Sequence, residues 1–185
     1  RCYVLWTESW PNLDDPSGIT YALRATGDHT VIVRLNYGYE PDGTLPPAAK
    51  YDRFARRCGD FARNSRGVNI YVIGNEMNNP REWPQGQPIS PENYAACFNL
   101  VYRRIKAAAP GVVVCPGAID PFNGQWGDMR EYWRRMLQNI AACDGLAVHA
   151  YTHGPDPSLV EDEQTTFGNA PLLGVRFNFW VFEDV

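Results

Sequence analysis

The chain has 185 residues, 44% of them apolar and 21% charged, with a net charge of −4. That size suits one domain spanning 1–185 and leaves little for a second. The acidic balance gives no electrostatic footprint for nucleic acid or an anionic membrane, and no apolar run approaches the roughly 20 residues that cross a bilayer.

In chain order, residues 3–6 are apolar and aromatic, and residues 29–35 are β-branched; both read as strands. A helix is expected over 17–25 between them. Tyr51, Phe54, Ala55, Cys58, Phe61 and Ala62 then recur at helical spacing. Residues 68–73 form a third strand, rich in Val and Ile and read as buried on both faces. Ser90-Pro91 supplies an N-cap with proline at the first helical position, and Tyr94, Cys97, Phe98, Val101 and Ile105 give that helix its apolar stripe. Residues 112–115 form a fourth strand, and Met129, Tyr132, Trp133, Met136, Leu137 and Ile140 mark a third helix. Residues 145–149 read as a fifth strand, and a last helix is expected near Gly174. Strands alternating with helices predict an α/β fold with about five parallel strands and outer helices, a partial (β/α) barrel of the TIM type. The long Pro-, Gly-, Asn- and Trp-rich segments all follow strands, which is how barrels build sites on one rim.

The five cysteines, Cys2, Cys58, Cys97, Cys115 and Cys143, lie far apart without a CxxC pair, so free thiols, mostly buried, are expected. Neither a metal-binding spacing nor a glycine-rich phosphate loop is present, and no cofactor is expected. The N-terminal residues lack a signal-peptide layout, which leaves the compartment open between the cytoplasm and secretion after processing.

The chemistry concentrates at the ends of strands. Glu76 closes the third strand; an ionised acid is costly inside a core, so Glu76 is expected at an opening. Asn75 beside it is a neutral hydrogen-bonding partner, and a partly apolar site would let the glutamate keep its proton and act as a general acid. His149 and Tyr151 share one side of the fifth segment, and Arg34 and Asn36 share one side of the second strand. Trp6 and Trp126 stand at strand ends or in rim loops, where a sugar ring could stack. The aromatic share of 13% fits such platforms as well as large core residues.

A strand ending Gly74-Asn75-Glu76 followed by one ending His149-Ala150-Tyr151 resembles the retaining glycoside hydrolases of clan A, which are (β/α)8 barrels. The resemblance implies that Glu76 is the acid/base at the end of barrel strand four. Asn75 would bind the hydroxyl beside the reacting carbon, and His149 and Tyr151 would line the catalytic subsite. In that register the strand carrying the clan's nucleophilic glutamate has no counterpart here. The expectation is therefore a glycoside hydrolase-like domain with little or no activity alone. A non-catalytic carbohydrate-binding domain and a barrel fragment without independent function are the alternatives. The expected partners are a carbohydrate ligand and, through exposed barrel edges, further copies of the chain.

Overall fold

In the computed structural model, which describes residues 2–23 and 27–184, the β-branched run at 29–36 forms strand β2 (His29–Asn36). Four β-branched residues in succession restrict χ1 and favour extended backbone. Alternation then divides the strand between two faces. Val31, Val33 and Leu35 are completely buried, while Ile32 and Arg34 are half-buried on the opposite side. β1 (Cys2–Ser9) pairs with one edge of β2 and β3 (Ile70–Ile73) with the other, and β4 (Val113–Pro116) follows β3. All four are parallel and lie in chain order, β1-β2-β3-β4. Chain-order winding is that of a barrel wall; a doubly wound sheet reverses its order at a switch point.

Helices α1 (Tyr51–Asn64) and α2 (Pro91–Ala108) form the crossovers from β2 to β3 and from β3 to β4, and α3 (Met129–Asn139) follows β4. The expected start of α2 is present: Ser90 Oγ accepts the Asn93 N–H at 3.1 Å, with Pro91 at the first position. Asp128 caps α3 in the same way through the Arg130 N–H. The helices pack on the buried side of the sheet with Phe54 and Phe61 from α1 and Tyr94, Phe98 and Ile105 from α2, all essentially inaccessible. Burying each such side chain stabilises the fold by about 1.5–3 kcal/mol.

Four expectations are corrected. The third strand covers only Ile70–Ile73 and is buried on one face: Tyr71 and Ile73 are inaccessible, whereas Ile70 and Val72 are half-buried. Residues 145–149 form no strand. Val113 and Gly117 donate their N–H groups to Asn69 and Ile73 of the β3 side, so the intervening N–H groups of β4 would have to hold a fifth strand. Of these, Val114 N–H is taken by the Asp144 side chain at 2.9 Å, and Pro116 has none. A single backbone bond, from Asp144 N–H to the Val114 carbonyl, begins the ladder.

Residues 17–19 form no helix and Thr20 bridges Arg66, where a helix was expected; residues 22 and 23 are in a 3-10 turn, and 24 and 25 lie outside the described residues. Gly18 lies so close to the end of α1 that a Cβ there would stand 2.5 Å from the Asn64 backbone. Near the C-terminus, Phe167 N–H donates to the Val175 carbonyl across the loop between them, in which Gly174 takes φ 78°, and helical winding is delayed to a 3-10 segment at Phe179–Asp184. All five cysteines are free, with Cys58, Cys97 and Cys115 buried, Cys143 partly so and Cys2 exposed.

Candidate functional site

The ends of β3 and β4 are joined by a short network. Tyr94 O–H donates to the Ile73 carbonyl at 2.6 Å and accepts the Gly117 N–H at 2.8 Å. Gly117 is required here, because a Cβ would meet the Gly74 carbonyl oxygen at 2.5 Å. Beyond β3 the chain turns through Gly74 and places Glu76 at φ 44°, a left-handed conformation rare outside glycine and asparagine. The turn is held by two backbone bonds of 2.7 Å, Glu76 N–H to the Ala118 carbonyl and Asn79 N–H to the Glu76 carbonyl.

That backbone delivers the Glu76 carboxylate to the rim. Its Oε1 lies 2.9 Å from His149 Nδ1, and its Oε2 accepts from Asn79 Nδ2 at 3.3 Å. Burial works against the charged form, but the His149 hydrogen bond outweighs it and holds the carboxyl below the usual glutamate range. Glu76 is thus a carboxylate in the free protein. The expectation of a retained proton took account of the apolar surroundings but not of the histidine.

Asn75, 9% exposed, is gripped on three sides. Its N–H donates to Thr44 Oγ1 at 2.7 Å, its Oδ1 accepts from Arg34 Nη1 at 2.6 Å, and its Nδ2 donates to Glu82 Oε1 at 2.9 Å. Arg34 therefore reaches an amide and not an acid. Arg34, Asn75 and His149 line one cavity of about 250 Å³ together with Leu5, Ile32 and Val72 on the open face of the sheet. That volume is close to the small end of ligand sites.

Tyr151, 42% exposed, rests edge-on against Phe122 at 4.9 Å and points its hydroxyl at Asp120 Oδ1, 3.4 Å away. Two acids that sequence reasoning passed over belong here. Asp120 accepts from Phe122 N–H at 2.9 Å and from Asn79 Nδ2 at 3.3 Å, so Asn79 bridges it to Glu76. Burial pushes the Asp120 carboxyl up, and the Glu76 charge adds to the effect. Burial likewise raises Glu82, again reinforced by Glu76. The signal available in the sequence was Met77-Asn78-Asn79 and Asp120 in two rim loops, both following strands.

Three proposed site residues are placed elsewhere. Trp6 is in register with Val33, hence on the helix side of the sheet, where it meets Tyr21 at 6.3 Å; alternation from Leu5 turns it away from the cavity. Asn36 shares the Arg34 face but is completely buried, so no ligand can touch it in this arrangement. Trp126 packs edge-on against Trp83 and Tyr132 at 6.3 and 5.6 Å, which makes it a wall of the rim loops. Burial raises Cys115 to about 11, which makes it a poor nucleophile. Among the described residues no group of His, Cys, Asp and Glu is disposed to hold a metal ion.

No family model matches the chain, and no curated protein matches it. Solved structures do. A fungal β-1,4-galactanase is similar over 80% of this chain and 52% of its own, with a TM-score of 0.54 and 18% identity. The GH53 catalytic domain of Ignisphaera aggregans is similar over 70% of this chain and 39% of its own, with a TM-score of 0.50 and 16% identity. A family 51 α-L-arabinofuranosidase from Bifidobacterium longum follows at a TM-score of 0.40 and 20% identity, over 72% of this chain and 27% of its own, too low to bear on the argument. The chain spans about half or less of the length of these neighbours. At such identities the likeness concerns fold alone: four parallel strands and their helices follow part of the TIM barrel of these neighbours.

Proposed function

We propose that this chain is a glycoside hydrolase-like domain with Glu76 as its acid/base and Asn75, His149, Arg34 and Tyr151 as its sugar-binding residues. The observation that carries this is the contact of Glu76 with His149, a rim carboxylate and a rim imidazole 73 positions apart held at 2.9 Å. In the retaining scheme, the proton passes to the glycosidic oxygen as its bond to the anomeric carbon breaks, and the same carboxylate later deprotonates the attacking water. The free protein holds Glu76 ready for the second half of that cycle. The first half needs Glu76 in its protonated form, with the proton taken from solvent.

A retaining site needs a second carboxylate about 5 Å from the first, positioned to attack. Among the described residues no further strand brings a carboxylate to the open face beside Glu76, so we propose little or no turnover by this chain alone. A chromogenic aryl-glycoside panel that includes β-galactosides tests the reading. Turnover at background level agrees with it. Robust turnover lost in Glu76→Gln would overturn the inactivity and leave Asp120 as the first nucleophile to examine, through Asp120→Asn.

A non-catalytic carbohydrate-binding domain is the second reading, favoured by the exposed Tyr151, whose ring rests on Phe122 and whose hydroxyl meets Asp120. Binding of β-1,4-linked galacto-oligosaccharides that survives Glu76→Gln but falls with Tyr151→Ala would select it. Self-association through β1 is part of the same proposal, since Tyr3, Leu5 and Trp6 are 66%, 59% and 51% exposed along an edge strand.

A further inference from the structure

The amide of Asn75 has a definite orientation, and its two ends meet groups of opposite kind. A guanidinium offers donors and no acceptor, so Oδ1 has to face Arg34. A carboxyl oxygen accepts from Nδ2 at the other end, through Glu82. Rotating the amide by half a turn would set an NH2 against the guanidinium and an oxygen against the carboxyl, forfeiting both bonds. The backbone is pinned by the same neighbourhood. Thr44 Oγ1 takes the Asn75 N–H, and Thr44 N–H donates to the Glu82 carbonyl at 2.9 Å. Glu82 ends the short 3-10 turn Pro80–Glu82, which the Asn79 side chain caps by accepting the Arg81 N–H.

We propose that Glu82 is a positioning residue: with Arg34 and Thr44 it fixes the rotamer and amide orientation of Asn75, leaving the second Nδ2 hydrogen to donate to a sugar hydroxyl. Only the last clause rests on Asn75 being a sugar-binding residue. The clamp around Asn75 is a property of the protein without any ligand.

Two details distinguish this arrangement from a surface ion pair. Glu82 Oε2 and Arg34 Nε are both buried without a hydrogen-bond partner among the described residues, so the acid and the base communicate through the amide between them. The groups acting on the Glu82 carboxyl are Arg34, Glu76 and His149 besides Asn75, and its burial favours the neutral acid. A neutral carboxyl still accepts from Asn75 through its carbonyl oxygen. A glutamine in its place can do so as well, whereas a leucine cannot.

The test is the pair of side-chain amide resonances of Asn75 in ¹⁵N–¹H spectra of the whole chain, identified by their loss in Asn75→Asp and followed from about pH 3.5 to 8. In the wild type they should move with the titration of Glu82. In Glu82→Gln that movement should vanish while the resonances stay dispersed. In Glu82→Leu they should collapse toward the positions of a free amide, with backbone resonances of α1 serving as the check on folding. If Glu82→Leu does not fold, the titration in Glu82→Gln decides alone. Resonances that ignore Glu82→Leu, or a titration that persists in Glu82→Gln and disappears in Glu76→Gln, would overturn the proposal. A second arm measures binding of β-1,4-linked galactotetraose, expected to weaken about tenfold in Glu82→Leu and less than twofold in Glu82→Gln. Absence of binding by the wild type would count against the glycosidase reading and leave the amide result standing.

Discussion

The two faces of the sheet come from the same strands and differ in nearly everything else. Toward the helices, Val31, Val33, Leu35, Tyr71 and Ile73 are sealed, and every exchange there alters close packing. Toward the open face, Ile32, Arg34 and Val72 are half-buried beside the Asn75 amide, with room for a ligand. One residue of alternation therefore separates a position that carries stability from one that carries chemistry. Trp6 and Leu5 illustrate the cost of misjudging it by one.

The contrast can be broken most severely from the sealed side. Phe98→Ala should cost about 3–5 kcal/mol in denaturant unfolding, because a completely buried ring leaves a cavity. A loss below about 1 kcal/mol would mean that the helix layer is far looser than described. Next comes the seam between the faces. Tyr94→Phe removes the hydroxyl that ties β3 to the residue after β4 and should cost about 0.5–1.5 kcal/mol, because the Gly117 N–H and the Ile73 carbonyl keep their direct bond to each other.

On the open face the effects should be smaller and should depend on pH. Glu76 has a folded-state pKa below its ordinary 4.5, so its contribution to stability is present above about pH 4.5 and is lost as the pH falls through the lower folded value. Glu76→Gln should remove that acid limb of the melting-temperature profile, and an unchanged limb would deny the His149 contact. Glu82 works in the opposite sense: its raised value costs stability as the pH climbs above about 4.5, and Glu82→Gln should flatten that decline. The smallest effect on folding is expected at the edge. Leu5→Lys should change stability by less than about 0.5 kcal/mol while lowering self-association seen by light scattering. A monomer in both proteins would dispose of the edge pairing.

How much of this was legible in the sequence depended on the range of the deciding contact. The caps of α2, the stripes of the three helices and β2 are written in neighbours a few positions apart. So is the exit of Glu76 from its strand, since an acid after a Val/Ile run has nowhere else to go. The missing fifth strand was decided by Pro116 together with an aspartate 28 positions away, whose side chain occupies the N–H that a ladder would need. The helix expected over 17–25 gave way to a bridge with Arg66, and Glu82 became part of the site only through a loop that doubles back onto Thr44. His149 was expected on the correct rim, yet its effect on the ionisation of Glu76 required the distance.

The left-handed turn at Glu76 has a consequence for anyone selecting variants of this protein for robustness. Glycine and asparagine adopt φ 44° at lower cost than glutamate, so a screen that rewards only thermal survival should drift toward Glu76→Gly or Glu76→Asn. Both would discard the carboxylate at the rim. The position that carries the proposed chemistry is therefore one where stability alone would choose a different residue, and enrichment at Glu76 in such a screen measures what the fold gives up to keep an acid there.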